Sequence, residues 1–120
     1  MSAEIELPAS MEPVAGEVVH WHRRANRTQS AQRAVGGWLH ITNHRLAFHP
    51  HKFDAALAGE QWWVPWARIT AVGKEKKSLR AVQGGSLRDR LRLELDDGSV
   101  ELFVTNKLDA VIAELRARLS

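Results

Sequence analysis

The chain of 120 residues has no cysteine and no tyrosine. Without cysteine, disulfide frameworks, thiolate zinc sites and cysteine nucleophiles are excluded. No apolar run approaches the roughly 18 residues that a membrane-spanning helix needs, so we expect any contact with a membrane to be peripheral. The first ten residues are acidic and lack the basic-then-apolar order of a signal peptide, which predicts a cytoplasmic protein.

Sequence motifs for catalysis and for reading nucleic acids are also missing. There is no G-x-S-x-G sequence and no glycine-rich phosphate loop, and Gly84-Gly85 has the composition of a flexible turn. No RNP-like run, helix-turn-helix pattern or zinc ligand set is present either. We therefore predict that the protein is not an enzyme, that it carries no cofactor and that nucleic acid is not its partner.

The charge is unevenly distributed along the chain. The formal net charge is +3 at pH 7, yet the first 17 residues contain Glu4, Glu6, Glu12 and Glu17. The remainder is therefore more basic than the whole. A basic surface favours anionic partners such as phospholipid headgroups, although many soluble proteins with such a surface bind neither lipid nor nucleic acid.

Residue patterning predicts one domain with a leading arm. Residues 1–15 contain two prolines and no sustained period, which indicates a flexible acidic arm, and the domain is expected to occupy residues 16–120. Apolar and polar residues alternate over 17–24, 35–42, 61–66 and 69–74, which is typical of strands with one buried face. Pro65 cannot donate a backbone hydrogen bond, so it should lie at an edge, a bulge or a strand end.

The stretch GGWLHITNHRLAFHPH, residues 36–51, predicts a β-hairpin. If Asn43 and His44 form a two-residue turn, for which Asn tolerates positive φ, then Ile41 lies opposite Leu46 and Leu39 opposite Phe48. These four apolar side chains would share the buried face. The exposed face would carry Trp38, His40, Ala47 and His49.

A second hairpin is predicted in DRLRLELDDGSVELFV, with Asp97 and Gly98 as its turn. The buried face would then consist of Leu91, Leu93, Leu95, Val100, Leu102 and Val104. Phe103 would be the exception, an apolar side chain on the charged face.

The last segment changes to a helical period. Its apolar residues form one stripe, with Asn106 as a candidate N-cap: Leu108, Val111, Ile112, Leu115 and Leu119. The predicted order is thus seven strands followed by one helix, a mainly β protein.

This pattern resembles the GRAM domain, a branch of the pleckstrin-homology-like (PH-like) superfamily. The resemblance spans about residues 16 to 119 and is carried by Gly16-Glu17, by the run Gly37 to Phe48, by Val64-Pro65 with Ile69 and Val72, and by Asp97-Gly98 leading to Phe103. It implies a barrel of seven antiparallel strands in two packed sheets, closed by a C-terminal helix. It also implies a non-catalytic module that binds phospholipids or proteins, and a separate chain of this length resembles the small bacterial members.

Basic residues predict an anionic phospholipid site as the first function, at the inner membrane surface. Guanidinium groups bind phosphate in a bidentate manner, and cations near a membrane contribute about 1 kcal/mol each. The K-x-n-R-x-R pattern of phosphoinositide-binding relatives is absent, and a solvated surface is the alternative. The candidate residues are Arg23, Arg24, Arg27, Arg33, Lys74, Lys76, Lys77 and Arg80.

Tryptophan and histidine predict the alternative function, a protein contact or a contact between two copies of the chain. Alternation places Trp62, Val64 and Trp66 on a packed face and leaves other aromatic residues outside. The candidate partner-binding residues are Trp38, His40, His49 and Trp63.

The histidines raise a metal-site hypothesis that the sequence does not favour. His20 and His22 share a strand face, as do His49 and His51, and His40 lies diagonal to His49. No Asp or Glu stands near them in the sequence, and such pairs of histidines arise often by chance. We therefore predict no metal site.

Overall fold

In the computed structural model, residues 11–30, 33–51, 59–76 and 88–119 are described. These residues form a mainly β structure that ends in one helix, α1. Its strands are β1 (Val19–Ser30), β2 (Arg33–Thr42), β3 (Arg45–Pro50), β4 (Trp62–Pro65), β5 (Ile69–Glu75), β6 (Arg90–Leu95) and β7 (Val100–Val104), a 3₁₀ turn (Trp66–Arg68) links β4 to β5, and α1 is Leu108–Leu119. None of the helices in the described ranges could cross a membrane.

All seven strands pair antiparallel in one continuous sheet of order β4-β3-β2-β1-β7-β6-β5. The predicted fold class is confirmed, with the minor difference that the two halves are joined through the end of β1 and the sheet is not closed. Asn26 and Arg27 of β1 pair with Val104 and Phe103 of β7. We call β1 to β4 one half-sheet and β5 to β7 the other. The two half-sheets pack face to face, as shown by the rings of Phe48 on β3 and Phe103 on β7, which lie 5.8 Å apart. Pro65 ends the edge strand β4, as its missing N–H requires.

The predicted pairing of β2 with β3 is confirmed. Leu39 lies opposite Phe48 and Ile41 opposite Leu46, and all four side chains are fully buried. The turn differs in one detail, since neither turn residue has positive φ. Instead, the Thr42 hydroxyl accepts hydrogen bonds from the backbone N–H of His44 at 3.0 Å and of Arg45 at 2.9 Å, which stabilises the turn directly.

The predicted register of β6 and β7 is wrong by one residue. Leu91 lies opposite Phe103 and Leu93 opposite Glu101, so Phe103 is fully buried whereas Val100 is 38% exposed. The cause is the turn: the Leu95 N–H bonds to the Ser99 carbonyl, which leaves a loop of residues 96–98 with Gly98 at φ 86°. A one-residue change in register turns every β7 side chain to the other face.

The predicted apolar stripe of helix α1 is confirmed, and the structure places it against β5 and β6. Val111, Ile112 and Leu115 are buried, and Leu108 and Leu119 pack against the same core. The predicted Asn106 cap is not formed, because the helix begins one residue later and the Lys107 carbonyl accepts the Val111 N–H at 3.1 Å.

The segment before β1 is tied to the β2–β3 turn. The Glu17 carboxylate is completely buried, with its oxygens 2.8 and 2.9 Å from the Arg45 guanidinium and 2.7 Å from the Thr42 hydroxyl. Arg45 also donates to the Glu12 carbonyl at 2.8 Å. Met11 is buried although it falls within the predicted arm, and residues 1–10 lie outside the described part of the chain.

Candidate functional site

The outer surface of strands β1 to β4 carries a continuous set of aromatic, histidine and arginine side chains. Strand pairing places His22, His40, Ala47 and Trp63 in one row across the sheet, and Arg24, Trp38 and His49 in the next row. The opposite surface of the same strands supplies the core through Leu39, Ile41, Leu46 and Phe48. Five neighbouring side chains of this outer surface are exposed or half-buried, and we call them the docking face: His22, Arg24, Trp38, His49 and Trp63.

Trp38 is the centre of a stack within the docking face. The Arg24 guanidinium lies 5.5 Å from the Trp38 ring centroid, and the His22 ring lies 4.8 Å from it on a tilted plane. A guanidinium over an indole ring gains about 0.5–1 kcal/mol at an exposed position. The stack therefore holds a cation at the surface in a defined position while its charge stays accessible.

Trp63 is the most exposed aromatic side chain among the described residues, at 52%. It stands on the edge strand β4, and the Arg45 guanidinium lies 5.0 Å from its ring centroid. Since Glu17 fixes Arg45 in turn, the Trp63 ring rests on a rigid support. A large apolar ring held in water is typical of a residue that a partner covers.

His40 lies in the middle of the outer surface but is buried, with 5% exposure, so the prediction that it is exposed is wrong. Its ring is 5.7 Å from the His22 ring, and its Nδ1 has no hydrogen-bond partner. Burial, reinforced by the neighbouring His22 and His49, lowers the pKa of His40 to about 4. It is therefore a neutral support beneath the docking face at pH 7.

The predicted basic residues of β1 and β2 do not converge. Arg23 and Arg27 lie on the same side of the sheet as Leu39 and Val35, whereas Arg24 points to the opposite side. Arg27 is engaged by Glu101 at 2.9 Å and lies over the Trp62 ring. Arg33, at the start of β2, is half-buried and its Nε has no hydrogen-bond partner.

The second predicted basic group lies at the end of β5. Lys74 is paired with Asp109 of α1 at 2.9 Å, which raises the pKa of Lys74, and Lys76 is exposed. The predicted residues Lys77 and Arg80 lie outside the described residues. A depression of about 460 Å³ beside Lys74 is lined by acidic Asp89 and Asp109 as well as by basic side chains, so it has no single charge preference.

Sequence reasoning missed two relationships of the docking face. The sequence pattern places His22 in the metal-site hypothesis and Arg24 in the predicted lipid site, yet both contact Trp38. The pairing of β1 with β2 was the signal needed, because it sets His22 opposite His40 and Arg24 opposite Trp38. Within the described ranges no group of three or more His, Cys, Asp or Glu side chains could hold a metal ion.

Comparison with known structures identifies the fold as that of pleckstrin-homology domains. The N-terminal PH domain of Vps36 matches with a TM-score of 0.63 at 16% identity, over 97% of this chain and 90% of that one. The PH domain of USP37 matches with a TM-score of 0.50 at 16% identity, over 86% and 95%. The C-terminal domain of an unknown protein from Leishmania infantum matches with a TM-score of 0.67 at 17% identity, over 88% and 86%.

No family model matches this sequence, and no curated protein matches it either. The structural matches share too few residues to carry a function across. They establish the PH-like fold, and the function has to be argued from the chain's own surface.

Proposed function

We propose that this chain is a non-catalytic binding module of the GRAM type and that it binds a protein partner through the docking face. The observation that carries the proposal is the 52% exposure of Trp63 beside the Arg24–Trp38–His22 stack. Tryptophan and arginine are the residues that most often dominate binding energy at protein interfaces. Here both residue types stand on strands, so little conformational entropy is lost when a partner covers them.

Site-specific photo-crosslinking tests this proposal. A benzophenone amino acid in place of Trp63 should give covalent protein adducts in intact cells. The matched control carries the same group in place of Val100, which is 38% exposed and lies in the other half-sheet. Adducts from position 63 and none from position 100 are expected. Equal adducts from both positions, or none from position 63, would contradict the proposal.

A second candidate function is binding to anionic phospholipid, as the basic residues predict. It is supported by the meeting of three strand ends: the Gln29 side chain accepts the Glu60 N–H at 2.9 Å, and Arg90 donates to the Thr28 hydroxyl at 3.2 Å. Arg33 pairs with Ser30, the residue after Gln29, and Lys76 directly follows Glu75, which pairs with Arg90. A peripheral location at the inner membrane surface belongs to this candidate.

Vesicle sedimentation distinguishes the two candidates. Lipid binding predicts that the protein sediments with phosphatidylserine vesicles but not with phosphatidylcholine vesicles, and that the double variant Arg33→Glu/Lys76→Glu abolishes this. Arg118→Glu at the end of α1 changes the charge by the same amount per site and serves as the control. No sedimentation at low salt would exclude the lipid candidate, because electrostatic attraction is strongest under that condition.

A further inference from the structure

The four strands that form the docking face contain no acidic residue. Strands β1 to β4 contain Arg23, Arg24, Arg27, Arg33 and Arg45 together with four histidines, and they have neither Asp nor Glu. The fourteen Asp and Glu residues of the chain all lie elsewhere. This half-sheet is therefore cationic, in contrast to β5 to β7, which contain three glutamates as well as three basic residues: Glu75, Glu94, Glu101, Lys74, Arg90 and Arg92.

Two carboxylates that lie outside these strands already form ion pairs with arginines of β1 and β3. Glu17 is buried against Arg45, and Glu101 is paired with Arg27 on the other side of the sheet. Neither one neutralises Arg24, which is exposed and rests on Trp38. The docking face thus presents a positioned cation and an imidazole, Arg24 and His22 of β1, beside Trp38. A second imidazole, that of His49 on β3, lies between the two indole rings.

The spacing of the two indoles defines what fits between them. Trp63 stands two strands and two residues away from Trp38 in the sheet. With strands about 4.8 Å apart and a rise of about 3.4 Å per residue, the two positions are roughly 12 Å apart. An extended segment of about five residues covers that distance, with side chains i and i+4 on the same face.

We propose that the docking face binds an acidic segment of a partner protein that also carries a large apolar side chain. This inference rests on the proposed function and adds the chemistry of the partner. Carboxylates of the segment pair with Arg24 and with the imidazoles, and the apolar side chain packs on Trp63. A second copy of this chain using the same face does not fit, because a two-fold contact would set cationic surfaces against each other.

Selection from a random 12-residue peptide library displayed on phage tests the inference on the full chain. The enriched peptides should carry net negative charge and at least one Trp, Phe or Leu. When resynthesised, they should lose at least tenfold in affinity for Arg24→Glu and for Trp63→Ala. Val100→Ala, an exposed position on β7, should bind them as the unchanged protein does.

The possible outcomes separate this inference from the proposed function. Enriched peptides that require Trp63 for binding but are neutral or basic would contradict the acidic character of the partner segment. They would leave the proposed protein-binding role of the docking face intact. Peptides that are insensitive to Trp63→Ala, or the absence of any enriched peptide, would overturn both. Trp63-dependent binding to phosphatidylserine vesicles without acidic peptides would replace the protein partner by a membrane. Equal melting temperatures of the variants would show that loss of binding is not loss of folding.

Discussion

The ring of Phe103 on β7 lies 5.8 Å from the ring of Phe48 on β3, and both side chains are fully buried. This pair connects the two half-sheets. Trp62 of β4 strengthens the connection, because its ring lies 5.7 Å from that of Phe103. The docking face is the reverse side of the half-sheet that Phe48 anchors. The position of its side chains therefore depends on contacts made on the other side of the strands.

We expect Phe103→Ala to destabilise the domain by about 3–5 kcal/mol, because it removes a buried ring at the junction of the half-sheets. Val100→Ala on the same strand should change the free energy of unfolding by no more than about 0.5 kcal/mol, since Val100 is partly exposed. Denaturant unfolding measures both. The reverse ranking would support the register in which Val100 is buried and would contradict the structure.

Gly37→Ala should destabilise the β2–β3 hairpin. A Cβ at this position would lie 2.2 Å from the His49 carbonyl oxygen and 2.8 Å from the Pro50 Cα, both backbone atoms. Relief requires the strands to separate, which we expect to cost about 1–3 kcal/mol. Thermal unfolding tests this, and Gly98→Ala is an unsuitable control because its φ is 86°. Ala34→Gly, at an exposed position of β2, is the better one, and a Gly37→Ala variant as stable as the natural protein would contradict the close approach.

Glu17→Gln should be costly because it leaves the Arg45 charge buried without its partner. Burial alone would raise the pKa of Glu17, but hydrogen bonds from Arg45, Thr42 and the Val14 N–H outweigh it and hold the pKa below its usual value. Removal of one member of a buried pair typically costs about 3–5 kcal/mol. Chemical denaturation at pH 7 measures the loss.

The exposed pair Arg68–Asp96 provides the matched control for Glu17→Gln. Its side chains are 46% and 49% exposed at a similar separation of 3.0 Å. Asp96→Asn should therefore leave the free energy of unfolding nearly unchanged, because water and salt screen an exposed pair. Similar losses for the two variants would mean that the Glu17–Arg45 pair is not buried in solution.

His40 should make the domain less stable in mild acid. Because its pKa is lowered to about 4, the unfolded chain takes up the proton first, near pH 6.5, and the folded state takes it up only near pH 4. The contribution of His40 to the free energy of unfolding is fully present above about pH 6.5. It is lost as the pH falls towards 4, by roughly 3 kcal/mol in total at 1.36 kcal/mol per pKa unit. Burial is the main cause of the lowered pKa of His40, and the electrostatic effect of the neighbouring His22 and His49 acts in the same direction.

Denaturant unfolding between pH 7.5 and 4.5 tests the role of His40. The slope of stability against pH should be clearly smaller in His40→Gln than in the natural protein. His20→Gln, an exposed histidine on the same strand as His22, should keep the full slope. Equal slopes for all three proteins would show that His40 is not buried in solution.

Sequence patterning succeeded where several residues pointed to the same register. In the β2–β3 hairpin, two apolar residues on each strand could meet only if Thr42 and Arg45 flanked the turn, and the structure has that pairing. In the β6–β7 hairpin the pattern was ambiguous, because β7 carries apolar residues at consecutive positions from Leu102 to Val104. Whether the loop between β6 and β7 contains two or three residues then determines which side of the sheet each β7 side chain faces.

The candidate site was predictable in composition but not in arrangement. Trp63 was correctly expected outside, whereas His40 was expected outside and is covered. Alternation along a strand tells which side of the sheet a residue faces, but it does not tell how far neighbouring side chains cover it. Residues of the predicted basic group on β1 were divided between two faces for a related reason, since Arg23 and Arg24 are adjacent in a strand.

The amino-acid sequence by itself determined the succession of seven strands and a C-terminal helix along the chain, and the buried stripes of β2, β3 and the helix, because these follow from local periodicity. Only the tertiary structure decided how the second hairpin turns, which carboxylate reaches Arg45, and which side chains surround Trp38. These depend on pairing between strands that are distant in sequence, such as Arg24 with Trp38 and Glu17 with Arg45. The docking face is a product of that pairing: its five side chains come from four strands, and no local stretch of sequence contains it.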